Sequence, residues 1–343
     1  MSEPPRSLAE LPKAHLHLHF TGSMRIETVR DLASRHGLRL PSLLLEEWPP
    51  RFDTADERGW FRFQRLYDAA RACVRGEEEM RRIVREAALT DGAEGSHWLE
   101  IQVEPSSYAP FVGGITPALE IVLDEARAVS QVPGAAAVGV IVAASRLRHP
   151  LEARTLARLA ARYAGDSVGS VVGFGLSNDE RRGATEEFGR AFDIARAAGL
   201  MLVPHAGELL GPAAVEATLE HLRPHRLGHG VRSAEDPRVL ERVVDAGVAL
   251  EVCPGSNVSL GVFDTHRDVP LRRLLDAGAT VALGADDPLI FGSRLVDQYA
   301  TARSVHGLTD LELAALARMS IGASRAPEPV RARALADIDA WLG

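Results

Sequence analysis

The chain has 343 residues, with 46% hydrophobic and 25% charged residues, the composition of a folded globular protein rather than a disordered or fibrous one. Its formal net charge is −8, and no Lys/Arg run rises above the background, so neither nucleic acid nor an anionic membrane is an expected partner. Two cysteines, Cys73 and Cys253, make no disulfide framework and no CxxC metal signature.

The opening segment MSEPPRSLAELPKA has no apolar leader, and no stretch approaches about 18 uninterrupted apolar residues. A soluble, cytoplasmic protein is expected, and nothing in the chain specifies an oligomeric state. In chain order, eight short apolar runs read as strands: LPKAHLHLHF, HWLEIQVEP, AVGVIVAAS, SVVGFGLSN, LMLVPHAGE, HRLGHG, VALEVCPGSN and TVALGADDP. They are rich in Val, Ile and Leu on both faces, as strands buried on both sides of a parallel sheet must be. Between them lie helical patterns such as PLEARTLARLAARYAG, DERRGATEEFGRAFDIARAAG and DPRVLERVVDAG, each ending near a glycine. Eight strand–loop–helix units predict a (β/α)8 TIM-type barrel, and the missing GxGxxG turn argues against a nucleotide-binding doubly wound sheet. Residues 24–96 are too long for one crossover. They are expected to hold a helix at about 25–36, a Pro-rich connection from Pro41 to Pro50 and further helix from Asp56 to Thr90, inserted between strands one and two over the barrel mouth. A helical tail is expected from about Thr309 to Leu342, and residues 1–343 read as one domain.

Polar residues gather at the C-terminal strand ends, where barrels of this kind build their sites. His17 and His19 end the first strand. Residues i and i+2 of a strand share a face, so two imidazoles converge as a metal site requires; alone, the pair fits a polar strand face better. Asn178, Asp179 and Glu180 follow strand four, His205 and Glu208 strand five, His229 strand six, Ser256 and Asn257 strand seven, and Asp286 and Asp287 strand eight. Three neutral imidazoles and a carboxylate (His17, His19, His205, Asp286) suit Zn²⁺ or another borderline divalent ion, with a position left for water. His229 is placed to orient or deprotonate that water, and Glu208 to act as an acid. Adjacent strand-end carboxylates point to opposite sides, so Asp286 and Asp287 should differ in role. Asp286-Asp287-Pro288 also fits an N-cap and first helical turn, and His229 between two glycines fits a turn.

HLHFTGS, HAGE, LGHG, EVCPGSN and ADDP, in this order from Pro12 to about Pro327, resemble the adenosine deaminase family of metal-dependent hydrolases. The resemblance implies one Zn²⁺ per chain on His17, His19, His205 and Asp286. It implies that Glu208 protonates purine N1 while hydroxide adds at C6, that His229 assists, and that Asp287 accepts a hydrogen bond from the N7 side. The substrate implied is a 6-aminopurine nucleoside of the adenosine type, converted with water to the 6-oxo product and ammonia. Alternatives are the 6-aminodeoxyfutalosine deaminase of menaquinone biosynthesis, an adenine deaminase, a metal hydrolase of an amide or lactone, and, remotely, a catalytically inactive binding protein.

The chain departs from the family's pattern at several places. Thr21 stands where adenosine-specific members carry an aspartate that contacts ribose, and Asn178 where the family has a glycine whose backbone N–H meets purine N3. His15 replaces a usual glutamate and is expected to make supporting polar contacts. Gln102 stands where many members have arginine, and Ala285 where they have a hydroxyl or Asn. The segment from Asp56 to Arg71 matches an aromatic lid helix whose Trp60, Phe61 and Tyr67 would cover an apolar pocket. Arg62, Arg65, Arg181 and Arg182 could meet a carboxylate on an extended substrate, although solvated arginines are the simpler expectation.

Overall fold

The computed structural model describes residues 5–44, 50, 52 and 57–343. Among them, eight parallel strands pair in sequence order: β1 (Lys13–His19), β2 (Ser96–Val103), β3 (Ala137–Ser145), β4 (Val171–Ser177), β5 (Met201–Ala206), β6 (Arg226–His229), β7 (Ala249–Val252) and β8 (Val281–Leu283). The ring closes just beyond β8. Asp286 bridges Leu18, with His19 N–H donating to the Asp286 carbonyl and Asp286 N–H to the His17 carbonyl, each at 3.0 Å. Helices follow the strands around the outside, giving the expected (β/α)8 barrel. No helix among the described residues is long and apolar enough to cross a membrane.

β1 alternates Lys13, His15, His17 and His19 on one face with Ala14, Leu16 and Leu18 on the other, and all but His19 are buried. The polar face is the one that enters the site. At its lower end Lys13 Nζ donates to the carbonyls of Leu8, Leu11 and Glu94 at 2.9, 2.6 and 2.5 Å, three acceptors for the three N–H groups of an ammonium. Register then brings the strand ends level, with His19 beside Gln102, His205 beside Gly228 and Ala206 beside His229.

The insertion between β1 and β2 holds α1 (Ile26–Arg35), α2 (Glu57–Arg71) and α3 (Glu77–Ala93). The long helical pattern is thus two helices separated by a turn at residues 72–76. Asp56, its expected start, and residues 45–49 of the Pro-rich connection lie outside the described residues. The helix expected from Asp179 also shortens to Gly189–Ala197. Gly183 takes φ +66° and the Asp179 side chain accepts from the Arg181 backbone N–H at 3.1 Å, a local bond that competes with helix formation. The tail divides into Asp310–Ala323 and Glu328–Leu342. Pro327 and Pro329 interrupt it, and Arg325 N–H donates to Glu100 Oε1 at 2.7 Å, docking the break under β2.

Candidate active site

Four side chains from three strand ends meet at the barrel mouth. Ligand-type atoms of His17, His19 and His205 lie within 4.8 Å of one another, and Asp286 joins the same cluster. His19 Nε2 is 3.2 Å from both His205 Nε2 and Asp286 Oδ1, and His17 Nε2 is 3.6 Å from Asp286 Oδ1. A tetrahedral ion with bonds of about 2.0–2.1 Å separates its ligand atoms by roughly 3.3 Å. His17 Nε2 is buried without a hydrogen-bond partner, which is costly unless something fills the space. These residues therefore fit a divalent ion.

The electrostatics agree. Burial opposes charge on His17, yet the neighbouring carboxylates of Asp286 and Glu251 hold its pKa up at about 10. Burial also works against the Asp286 carboxylate, but His17 and His19 keep it well below the usual range. Burial and the neighbouring imidazoles push His205 far down. The buried Asp286 and Glu251 carboxylates thus draw positive charge onto this cluster, held as a proton on His17 here and available to a metal cation in its place.

Asp286 has φ +61°, a left-handed conformation rare outside glycine. This changes the expectation that Asp286 and Asp287 point to opposite sides, because strand alternation stops at a left-handed residue. Carboxylate oxygens of both reach the same space as His19. Asp287 starts the turn Pro288–Phe291 by its backbone, but its side chain caps nothing. Burial and the Asp286 charge push the Asp287 pKa well up. His229, also left-handed at φ +63°, is lowered to about 3 by burial. Its Nε2 lies 3.5 Å from Glu208 Oε1 and 3.8 Å from Asp286 Oδ2. Burial, with the Asp286 and Glu180 charges, raises Glu208 well above a normal glutamate. Gly228 lets these rings meet: a Cβ there would lie 2.9 Å from His17 Cε1 and from His205 Nδ1.

Several supporting residues went unread in the sequence. His17 Nδ1 meets Glu251 Oε2 at 2.7 Å, Arg226 Nε donates to Glu251 Oε1 at 2.6 Å, and Arg226 also pairs with Glu100. All four are buried. Their signal was a charge interrupting an apolar run, in HWLEIQVEP, HRLGHG and VALEVCPGSN, since a charge buried in a strand needs a partner. His15 makes the supporting contacts expected of it: Nδ1 meets Asp91 Oδ2 at 2.7 Å and Nε2 accepts from Ala285 N–H at 3.0 Å. That pairing matches a neutral imidazole and ties α3 to the segment bearing Asp286. Ser256 Oγ donates to Asp286 Oδ2 at 2.6 Å, and Arg146 Nη2 to the His205 carbonyl at 3.0 Å.

A pocket opens above the cluster, past His19, Glu208 and Asp287, and α2 lines one wall with Trp60, Phe63 and Tyr67. Phe61 does not take the expected covering position. One residue past Trp60 it points outward and is 60% exposed, and Phe63 stacks on Phe291 at 5.5 Å instead. Arg62, Arg65 and Arg182 are exposed and do not line this pocket, and Arg181 pairs with Asp179 at 2.8 Å. Arg71, which does line it, is committed to Asp68. Thr21 is buried and its Oγ1 lies 2.5 Å from Tyr108 Oη. Asn178 lines the pocket with φ +81°, and its Oδ1 accepts from Asp179 N–H at 2.9 Å. Asn tolerates the left-handed backbone better than most side-chain-bearing residues, which accounts for it at a position where glycine is usual. Gln102 is buried with its Nε2 3.5 Å from His17 Nδ1.

The family model described as adenosine deaminase matches residues 12–341. A Streptomyces virginiae protein provisionally named adenosine/adenine deaminase is 58% identical over 340 residues, covering 99% of both chains. The adenine deaminase of Sinorhizobium medicae is 36% identical over 329 residues, covering 96% of this chain and 98% of its own. Among solved structures, adenine deaminase from Arthrobacter aurescens superposes with a TM-score of 0.86 at 29% identity, covering 96% of this chain and 99% of that one.

Proposed function

The chain belongs to the adenosine deaminase family and is a metal-dependent aminohydrolase; from that premise we propose that its substrate is a 6-aminopurine and that the free base adenine is preferred over the nucleoside. The observation that carries the preference is the Thr21–Tyr108 hydroxyl pair, buried and 2.5 Å apart. Nucleoside-specific members carry an aspartate there to receive a ribose hydroxyl. Thr21 offers no charged acceptor, and its hydroxyl is already engaged. The Asn178 side chain also lines the pocket, and the 36%-identical relative is named for adenine.

In this reading His17, His19, His205 and Asp286 hold one zinc ion. Bound there, zinc lowers the pKa of a water molecule so that a nucleophile is available near neutral pH. His229, kept neutral by burial, accepts a proton from the attacking water. Glu208, kept protonated by burial and its carboxylate neighbours, gives its proton to ring N1. Asp287, whose carboxylate reaches the same space as His19 and lines the pocket, accepts a hydrogen bond from the N7 side of the purine. Atoms balance as adenine plus water giving the 6-oxo purine plus ammonia.

Ammonia release measured on adenine, adenosine, 2′-deoxyadenosine and 6-aminodeoxyfutalosine tests the substrate. We expect kcat/KM for adenine to exceed that for adenosine by about 100-fold, the scale on which a pocket discriminates against an added hydroxyl for which it holds no partner. Adenosine as the best substrate would overturn the preference. Glu208→Gln should lose turnover while keeping its metal, and a fully active variant would remove Glu208 from its role.

A further inference from the structure

Behind Glu208 the backbone folds into a cradle that the chain fills with its own anion. β5 ends at Ala206, and the next four residues turn before the helix Pro212–Leu222. Their four backbone N–H groups converge on the Glu180 carboxylate: Gly207 to Oε1 at 2.7 Å, and Glu208, Leu209 and Leu210 to Oε2 at 2.9, 2.5 and 3.0 Å. Consecutive amides arranged in this way form a nest for an anion. Four donors match the acceptor-only capacity of an ionised carboxylate. The turn depends on Gly207, whose φ is +71° and where a Cβ would lie 2.7 Å from Val215 Cγ2. Glu180 is 5% exposed and comes from the loop after β4, on a different segment from the turn it holds.

We propose that Glu180 is a positioning residue for the deamination: by gathering the amides of residues 207–210 it fixes the turn that aims the Glu208 side chain at the pocket and at His229. Glu180 touches neither substrate nor metal ligand in this role. Without its charge, four converging donors face one another with no acceptor, and the turn relaxes away from the geometry Glu208 needs. The inference rests on Glu208 being the proton donor of the proposed reaction.

Because the cradle is built of backbone, a small carboxylate from solution can replace the missing one. Glu180→Ala is expected to lower kcat by about 100-fold, the scale of a misplacement of roughly 1 Å, with KM for the aminopurine within about threefold of the parent and its metal retained. Added formate should restore activity by about tenfold, acetate less because of its methyl group, and chloride not at all. Wild-type kcat in Glu180→Ala, or a folded, metal-replete Glu180→Ala whose low activity ignores formate, would overturn the proposal. If Glu180→Ala does not fold, Glu180→Asp carries the test: its charge is drawn back by one methylene, and about a tenfold fall in kcat at constant KM is expected. Unchanged kcat there would overturn it too. Glu208→Gln measured alongside separates the two readings. An active Glu208→Gln removes the proton donor itself, whereas an inactive one beside a fully active Glu180→Ala removes only the role assigned to Glu180.

Discussion

Gly22 and Asp287 are packed so closely that a Cβ on residue 22 would sit 1.7 Å from Asp287 Oδ1. The same glycine accepts Leu289 N–H on its carbonyl at 2.8 Å, so the loop after β1 and the turn after β8 hold each other. Gly22→Ala must displace either the Asp287 carboxylate or this backbone contact. We expect kcat/KM to fall at least about 100-fold, or about 2.7 kcal/mol of transition-state stabilisation, with metal content unchanged. Steady-state kinetics beside metal analysis checks it, and near-parental activity would mean that Asp287 has no fixed part in the chemistry.

The Glu251–Arg226–Glu100 chain beneath His17 should separate metal binding from folding. Glu251→Gln keeps the shape but weakens the hold on the His17 ring, and such partners are worth about 10- to 100-fold in metal affinity. Competition with a chromogenic chelator reads that loss. Arg226→Met leaves two carboxylates buried without their cation and should cost about 3–5 kcal/mol of stability, read as a lower denaturant midpoint. Equal effects of the two changes on both readouts would contradict the division.

On α2 the two phenylalanines should behave oppositely. Phe63→Ala removes the ring stacked on Phe291 and opens one pocket wall, so KM should rise by roughly tenfold, a loss of about 1–1.5 kcal/mol for one aromatic contact. Phe61→Ala, on the exposed face of the same helix, should leave both constants within about twofold of the parent, as surface changes usually do. A reversed order would place the lid surface on the other face.

Far from the site, Glu312 gives a pH signature. Arg272 pairs with its carboxylate, and Thr309 donates from its backbone N–H at 2.8 Å and its hydroxyl at 2.9 Å, so the pKa falls from 4.5 to about 2. A carboxylate lowered on folding stabilises the native state above its unfolded pKa, and that contribution fades as pH drops from about 4.5 towards 2. Glu312 is 39% exposed and solvent screens the pair, so the contribution is about 0.5 kcal/mol. Urea midpoints of the parent and Glu312→Gln should differ at pH 7, draw together below about pH 4.5 and converge near pH 2. A difference that widens in acid would have the wrong sign.

The barrel was legible because period and punctuation repeat: eight apolar runs, most of them followed by a helix pattern. The metal cluster was legible because its donors end those runs at fixed short spacings. What stayed hidden was set by backbone conformation. Strand alternation predicted opposite directions for Asp286 and Asp287, and one left-handed residue cancelled it. Phe61 and Phe63 look alike in sequence, and only the helix phase around Trp60 decides which reaches the pocket. Glu180 read as one of three polar residues after β4, because the amides that claim it belong to another segment. Glu251 and Arg226 were visible as charges in apolar runs, yet the link to His17 needed the barrel to close.

That closure puts the chemistry on a seam. β8 has three residues, and the join between the chain's first and last strands runs through His17, His19 and Asp286. An ion held by those side chains would act as a rivet through the overlap, with histidines on one lip and a carboxylate on the other. Fastening the cylinder and arming the reaction would then be a single event, so that an empty centre is also a loosened barrel.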